Sequence, residues 1–121
     1  MKILIVDDSK AMRMLVKRSL RMAGFGEHDT IEAENGKEGI VVVEGQQPDL
    51  VISDWNMPEM TGLEFLQTLR ANDCSVNFGF VTTEASNDMR ALAKEVGALF
   101  LVTKPFTPEQ LRNALEPALE D

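Results

Sequence analysis

Three aspartates, a threonine and a lysine stand where apolar runs of strand length end. Asp7 and Asp8 follow Ile-Leu-Ile-Val, and Asp54 follows Leu-Val-Ile-Ser. Thr82 closes a Phe-Gly-Phe-Val run, and Lys104, followed by Pro105, comes just after Leu-Phe-Leu-Val. In open α/β sheets, ligands bind beyond the carboxyl ends of the strands, where the strand order reverses. If the first and third strands are neighbours, the three carboxylates converge there. Like charges held that close raise one another's pKa unless a cation intervenes. An all-oxygen cluster with few protein ligands and room for water suits Mg²⁺. The set then holds a carboxylate, a cation site, a hydroxyl and an ammonium, a kit for moving a phosphoryl group onto a carboxylate. The carboxylate is ionised at neutral pH and needs no general base, while the metal and Lys104 would neutralise charge on the phosphoryl oxygens. Each part alone has a plainer explanation: Asp-Asp after a strand commonly caps a helix, and a Thr or Lys at a strand end is usually structural. The coincidence at four strand ends favours chemistry.

The elements that must position these groups are readable. Ile3–Val6, Leu50–Ile52, Phe78–Val81 and Leu99–Val102 lack polar alternation, as parallel strands covered on both faces do. A weaker strand is expected near Thr30–Ala33. Helical patterns lie between them. Asn35-x-x-Glu38, Thr61-x-x-Glu64 and Thr107-x-x-Gln110 fit the capping box, and Pro108 sits where a first helical turn tolerates proline. Gly24 follows the first helix, where a left-handed C-cap favours glycine. Pro117 should kink or end the last helix, whose apolar face is Leu111, Ala114, Leu115 and Ala118. Gly39 and Gly45 weaken the second helix by about 1 kcal/mol each if interior. The order βαβαβαβαβα, with short connections and no linker or repeat, predicts one doubly wound α/β domain over residues 1–121.

Composition narrows the function. The 121 residues carry 20 acids, 12 bases and a net charge of −8, which argues against nucleic-acid surfaces and anionic membranes. With 44% apolar residues the chain can bury a core. The single cysteine, Cys74, makes no internal disulfide, and no apolar run reaches the roughly 20 residues of a bilayer span. The start lacks the long apolar stretch of a signal peptide, so the cytoplasm is the expected location. Residues 1–24 nevertheless hold six of the bases and only two acids.

Ile-Val-Asp7-Asp8-Ser, Val-Ile-Ser-Asp54-Trp-Asn-Met-Pro-x-Met-x-Gly62, Val-Thr82-Thr-Glu-Ala and Thr-Lys104-Pro-Phe resemble the receiver domain of bacterial two-component response regulators, stand-alone chemotaxis regulators in particular. The resemblance covers the whole chain. It implies a five-stranded parallel sheet of order 2-1-3-4-5, flavodoxin-like, with helices on both faces. It also implies that Asp54 accepts a phosphoryl group from a sensor histidine kinase or a histidine phosphotransfer protein. Mg²⁺ would be held by Asp8, Asp54 and the Asn56 backbone carbonyl, with Asp7 acting through a bound water. Lys104 would pair with the acyl phosphate and Thr82 would swing in to hydrogen-bond it, biasing a two-state element. The Lys104–Pro105 bond would be cis. Such a protein is a monomeric signalling switch that catalyses only its own phosphorylation and dephosphorylation.

Three positions depart from the family pattern. Leu101 stands three before the lysine, where an aromatic residue usually follows the threonine. Phe100 beside it should point to the opposite face and cannot take over. Thr83 replaces a smaller residue and could restrict access to the pocket. Gly79 interrupts the fourth strand, suggesting close backbone approach. Asn56 and Glu84 match positions that tune phosphoryl lifetime in the family and suggest a short-lived signal.

Partners should meet two surfaces. In the first helix, about Ser9–Ala23, Met12, Leu15, Val16, Leu20 and Ala23 read as the core face. Lys10, Arg13, Lys17 and Arg21 form a basic stripe with Met14 beside it, a docking face for the phosphodonor, with a plain solvated face as the alternative. The downstream protein would read the fourth helix (Ser86–Val96), fifth strand (Leu99–Thr103) and last helix (Pro108–Leu115), the α4–β5–α5 face. There Met89, Leu92, Ala93 and Val96 read as core and Arg90, Ala91 and Lys94 as surface. Trp55 reads equally as packing or contact. Other readings are a phosphate sink or relay intermediate without its own output, and a small aspartate-nucleophile phosphatase. The phosphatase usually carries a second aspartate where Asn56 stands.

Overall fold

The computed structural model describes residues 1–119; Glu120 and Asp121, the end of the expected domain, lie outside the described residues. Five strands alternate with five helices: β1 Lys2–Val6, α1 Lys10–Leu20, β2 Asp29–Ala33, α2 Gly36–Gln46, β3 Leu50–Ser53, α3 Gly62–Ala71, β4 Asn77–Thr82, α4 Asn87–Glu95, β5 Phe100–Thr103 and α5 Pro108–Leu119. The strands form one sheet of order β2-β1-β3-β4-β5, every adjacent pair parallel. This is the doubly wound arrangement expected.

Side chains alternate across the sheet and so build two cores. Leu4, Val6, Val51, Phe78 and Phe80 meet Val43 of α2, Phe65, Leu66 and Leu69 of α3, and Ala93 of α4. Ile3, Ile5, Leu50, Ile52 and Val81 meet Val16 and Leu20 of α1 and Leu111, Leu115 and Ala118 of α5. Phe78 stacks edge-on against both Phe65 and Phe80, at centroid distances of 5.3 and 5.1 Å. All three rings are fully buried, and losing any one to alanine should cost about 3–5 kcal/mol.

The helix starts are capped as their sequences suggest. Ser9 Oγ accepts from the Met12 amide. Thr61 and Glu64, and likewise Thr107 and Gln110, close reciprocal capping boxes. Asn35 makes only the forward bond, from the Glu38 amide at 2.8 Å. Gly24 has φ +98°, inside a π-helical turn over Arg21–Phe25 that ends α1 earlier than the expected Ala23.

Four expectations of detail are corrected. Leu15, 46% exposed, is not a core residue: the buried stripe of α1 runs Arg13–Val16–Leu20 and turns Leu15 outward. Leu92 is 42% exposed because Ala93 is the buried contact of α4. β5 begins at Phe100, and Leu99 before it is exposed. Of the two outcomes expected at Pro117, a kink or an end, the end does not occur: α5 runs on to Leu119. A proline there removes only one N–H, and the buried Ala118 beyond it keeps the turn docked.

Gly79 is explained by register. It lies opposite Phe100, and a Cβ on it would overlap the Phe100 ring. The glycine makes room for that ring on the α1–α5 face of the sheet, where Phe100 joins the core.

Candidate functional site

Register brings the carboxylates together. Val6 of β1 is aligned with Ser53 of β3, and the Asp54 amide donates to the Val6 carbonyl at 2.9 Å. Both chains leave the sheet at one level, so Asp7, Asp8 and Asp54 each place a carboxylate oxygen within 4.8 Å of the others. Their environments differ. Asp7 is buried, Asp54 is half-buried and Asp8 is exposed.

Asp7 is held at every polar atom. Its amide donates to Ala33 O at 3.2 Å, its Oδ1 accepts from the Ser9 amide at 2.9 Å, and its Oδ2 meets Lys104 Nζ at 3.0 Å. Its carbonyl accepts from Arg13 Nη1 at 2.6 Å. Asp54 Oδ1 accepts from the Trp55 amide at 2.8 Å and lies 3.7 Å from Lys104 Nζ. Lys104 arrives from the end of β5: its amide donates to the Thr82 carbonyl at 2.7 Å, and the Lys104–Pro105 bond is cis, as the resemblance implied. Thr82 is fully buried, with its hydroxyl accepting weakly from the Glu84 amide at 3.4 Å. Asn56, Thr83 and Glu84 are exposed in the loops around these groups. Gly62 closes the Asp54 loop, its amide donating to Trp55 O at 2.7 Å, and a Cβ there would overlap the Asp54 carbonyl.

Burial pushes the Asp54 carboxyl above its ordinary 3.8. Lys104 opposes the rise, Asp7 adds to it by repulsion, and the Trp55 and Asn56 amides oppose it. Three converging carboxylates, with one ammonium shared between Asp7 and Asp54, are short of positive charge, and their donor set is all oxygen. The residues therefore fit a hard divalent cation such as Mg²⁺.

The structure separates the other predicted residues. Lys10 and Met14 are exposed. Arg13 does not lie on the exposed stripe expected of it. It is 7% exposed, and its Nε donates to Glu32 Oε1 at 2.9 Å. Its helical position faces the sheet, where Glu32 of β2 and the Asp7 carbonyl wait as acceptors. Lys17 is also drawn aside, its ammonium 3.5 Å from Glu32 Oε2. Burial pushes Glu32 up, but the Arg13 hydrogen bond and the attraction of Lys17 and Arg13 outweigh it and hold the carboxyl below its ordinary 4.5. Leu101 is partly buried against the α2–α4 core, with its carbonyl accepting from Arg90 Nη1 at 3.2 Å. Trp55 packs rather than protrudes, 9% exposed and 4.7 Å from the Phe80 ring.

Sequence reasoning missed Arg13 and Glu32 as neighbours of the site. The signal was present in the spacing of Arg13, Val16 and Leu20, which puts the arginine on the buried stripe. The exposed face of α1 is instead Lys10, Ala11, Met14, Leu15, Arg18 and Arg21, continued by Met22 in the π-helical turn. No helix of the described residues is long and apolar enough to cross a membrane.

Comparison with known proteins agrees with this geometry. Residues 3–116 match the model of the response regulator receiver domain. The chain is 38% identical over 122 residues to the chemotaxis protein CheY of Pseudomonas aeruginosa, covering 99% of this chain and 97% of that one. It is 36% identical to chemotaxis protein CheY1 of Helicobacter pylori strain J99, covering 98% and 97%. Among solved structures, chemotaxis protein CheY4 of Vibrio cholerae superposes with a TM-score of 0.85 at 36% identity, covering 98% of each chain. The receiver domain of a LuxO repressor protein from Vibrio parahaemolyticus reaches 0.89 at 25% identity, covering 98% of this chain and 88% of that one. A match across the chain, on a sheet of this order with acids at the ends of β1 and β3, places the protein in the response regulator receiver family, with relatives of the chemotaxis type.

Proposed function

We propose that Asp54 accepts a phosphoryl group from the phosphohistidine of a sensor kinase or histidine phosphotransfer protein. The observation that carries this reading is the convergence of Asp7, Asp8 and Asp54, with the Lys104 ammonium set between Asp7 and Asp54. An Asp54 carboxylate oxygen attacks phosphorus as the phosphorus–nitrogen bond to the donor imidazole breaks, and the electron pair leaves with the ring. Burial keeps the carboxylate poorly solvated, which favours its conversion to an acyl phosphate. Lys104, already 3.7 Å from Asp54 Oδ1, needs only a small movement to meet the phosphoryl oxygens.

Mg²⁺ would be held by Asp8, Asp54 and the Asn56 carbonyl, and it supplies charge neutralisation at the phosphoryl group. Both Asp7 oxygens are engaged by protein groups, which suits an aspartate that reaches the ion through water. Thr82 has a weakly used hydroxyl at the edge of the site and is the switch residue. Its movement reaches the α4–β5–α5 face, where a downstream protein binds. Leu101 in place of an aromatic favours a second reading, a phosphate sink or relay intermediate whose readout is weak.

The phosphodonor docks on the exposed face of α1. Lys10, Met14 and Arg21 remain part of that surface, while Leu15, Arg18 and Met22 replace Arg13 and Lys17. Incubation with acetyl phosphate and Mg²⁺, followed by intact-mass measurement, tests the reaction. A Mg²⁺-dependent phosphoryl mass should appear on the wild type and be absent from Asp54→Asn. An unmodified wild type with every donor tried contradicts it.

A further inference from the structure

We infer that Arg13 is a positioning residue for the metal-binding aspartates, holding the Asp7–Asp8 peptide plane through the Asp7 carbonyl and tying it to Glu32 of β2. The inference rests on the proposed Mg²⁺ site.

Asp8 is the weakly held member of the cluster. It is exposed, and among the described residues its carboxylate makes no hydrogen bond or ion pair. Where its carboxylate can reach is therefore limited by its backbone alone. The peptide joining Asp7 to Asp8 is planar and rigid, so fixing the Asp7 carbonyl also fixes where the Asp8 N–H and Cα lie. Arg13 Nη1 makes that bond at 2.6 Å from a buried side chain.

The guanidinium is suited to the task because Nε and Nη1 lie in one rigid plane. Nε meets Glu32 Oε1 at 2.9 Å, and the Glu32 backbone is fixed by its place opposite Ile5 in the β1–β2 ladder. The carbonyl and the carboxylate are thus held at a set separation, one at the site and one in the sheet. Glu32 has a second effect. A buried guanidinium beside a cation site would repel the ion, and the Glu32 carboxylate offsets that charge. Lys17 touches Glu32 only at the solvent edge.

Positioning and electrostatics predict opposite signs. Removing the Arg13 charge beside three carboxylates should by electrostatics alone tighten Mg²⁺ binding. If Arg13 positions Asp8, its removal weakens binding, by about tenfold, the low end for groups that orient metal ligands. The test is calorimetric titration of the metal-free protein with MgCl₂, for wild type, Arg13→Met and Arg13→Gln. The Trp55 emission, one residue from Asp54, is a second readout. Arg13→Gln keeps a polar head and gives the same test of sign if the methionine variant does not fold. Weaker Mg²⁺ binding by a folded variant, with faster hydrogen exchange of the Ser9 amide before metal is added, supports the inference. Unchanged or tighter binding overturns it. A wild type that binds no Mg²⁺ overturns the metal-site reading itself, and this inference with it.

Discussion

Lys104 lies closer to Asp7 than to Asp54: its ammonium is 3.0 Å from Asp7 Oδ2 and 3.7 Å from Asp54 Oδ1. The cation is thus anchored on Asp7, and Asp54, the proposed phosphoacceptor, is left only partly neutralised. That imbalance has consequences for stability and for phosphorylation.

Asp54 should destabilise the metal-free protein at neutral pH. Its carboxyl is held above 3.8, first by burial. The unfolded chain therefore loses this proton before the native state does, and native stability falls as pH rises from 3.8 through the folded value. Well below 3.8 the group is neutral in both states and the effect vanishes. In EDTA at pH 7, Asp54→Asn should melt several degrees above wild type, and the gap should close in strongly acidic buffer. Melting curves across pH check this, and an equal or lower melting temperature at pH 7 would refute it.

Gly79 and Phe100 should be energetically coupled. Gly79→Ala places a Cβ into the Phe100 ring and should cost about 1–3 kcal/mol through overpacking. Combining it with Phe100→Leu should return part of that cost, giving an interaction energy of about 1 kcal/mol in a double-mutant cycle by urea unfolding. Additive costs would mean that the ring moves aside freely.

Charge reversal on the exposed face of α1 should act on the partner alone. Arg18→Glu with Arg21→Glu should slow phosphotransfer from a phosphohistidine protein by about tenfold or more at low salt, with the difference shrinking as salt rises. Acetyl phosphate labelling should stay within about twofold of wild type, because neither side chain is near the aspartates and steering does not act on a small donor in this way. Equal losses with both donors would remove this face as the docking surface.

The groups of the candidate site were legible in the sequence because a parallel sheet writes its strands as unbroken apolar runs whose ends share one edge. Asp7, Asp54, Thr82 and Lys104 could be placed there without coordinates. The strand order could not be read from periodicity and came from the resemblance. Arg13 misled because a charged residue is by default assigned to solvent, and its partner Glu32 is 19 residues away on β2. Only the β1–β2 register brings the two together. The Gly79–Phe100 fit depends in the same way on how β4 aligns with β5. Leu15 and Leu92 show the converse error, since helical spacing marks a stripe but its edges depend on what lies opposite.

Asp54 is the proposed carrier of the phosphoryl group. The most direct measurement is to phosphorylate the protein with acetyl phosphate and Mg²⁺, reduce the acyl phosphate with borohydride, and map the modified residue by peptide mass spectrometry. Reduction is expected at residue 54 alone, and is lost when Mg²⁺ is chelated. Modification at Asp7 or Asp8, or none at any aspartate, would contradict it.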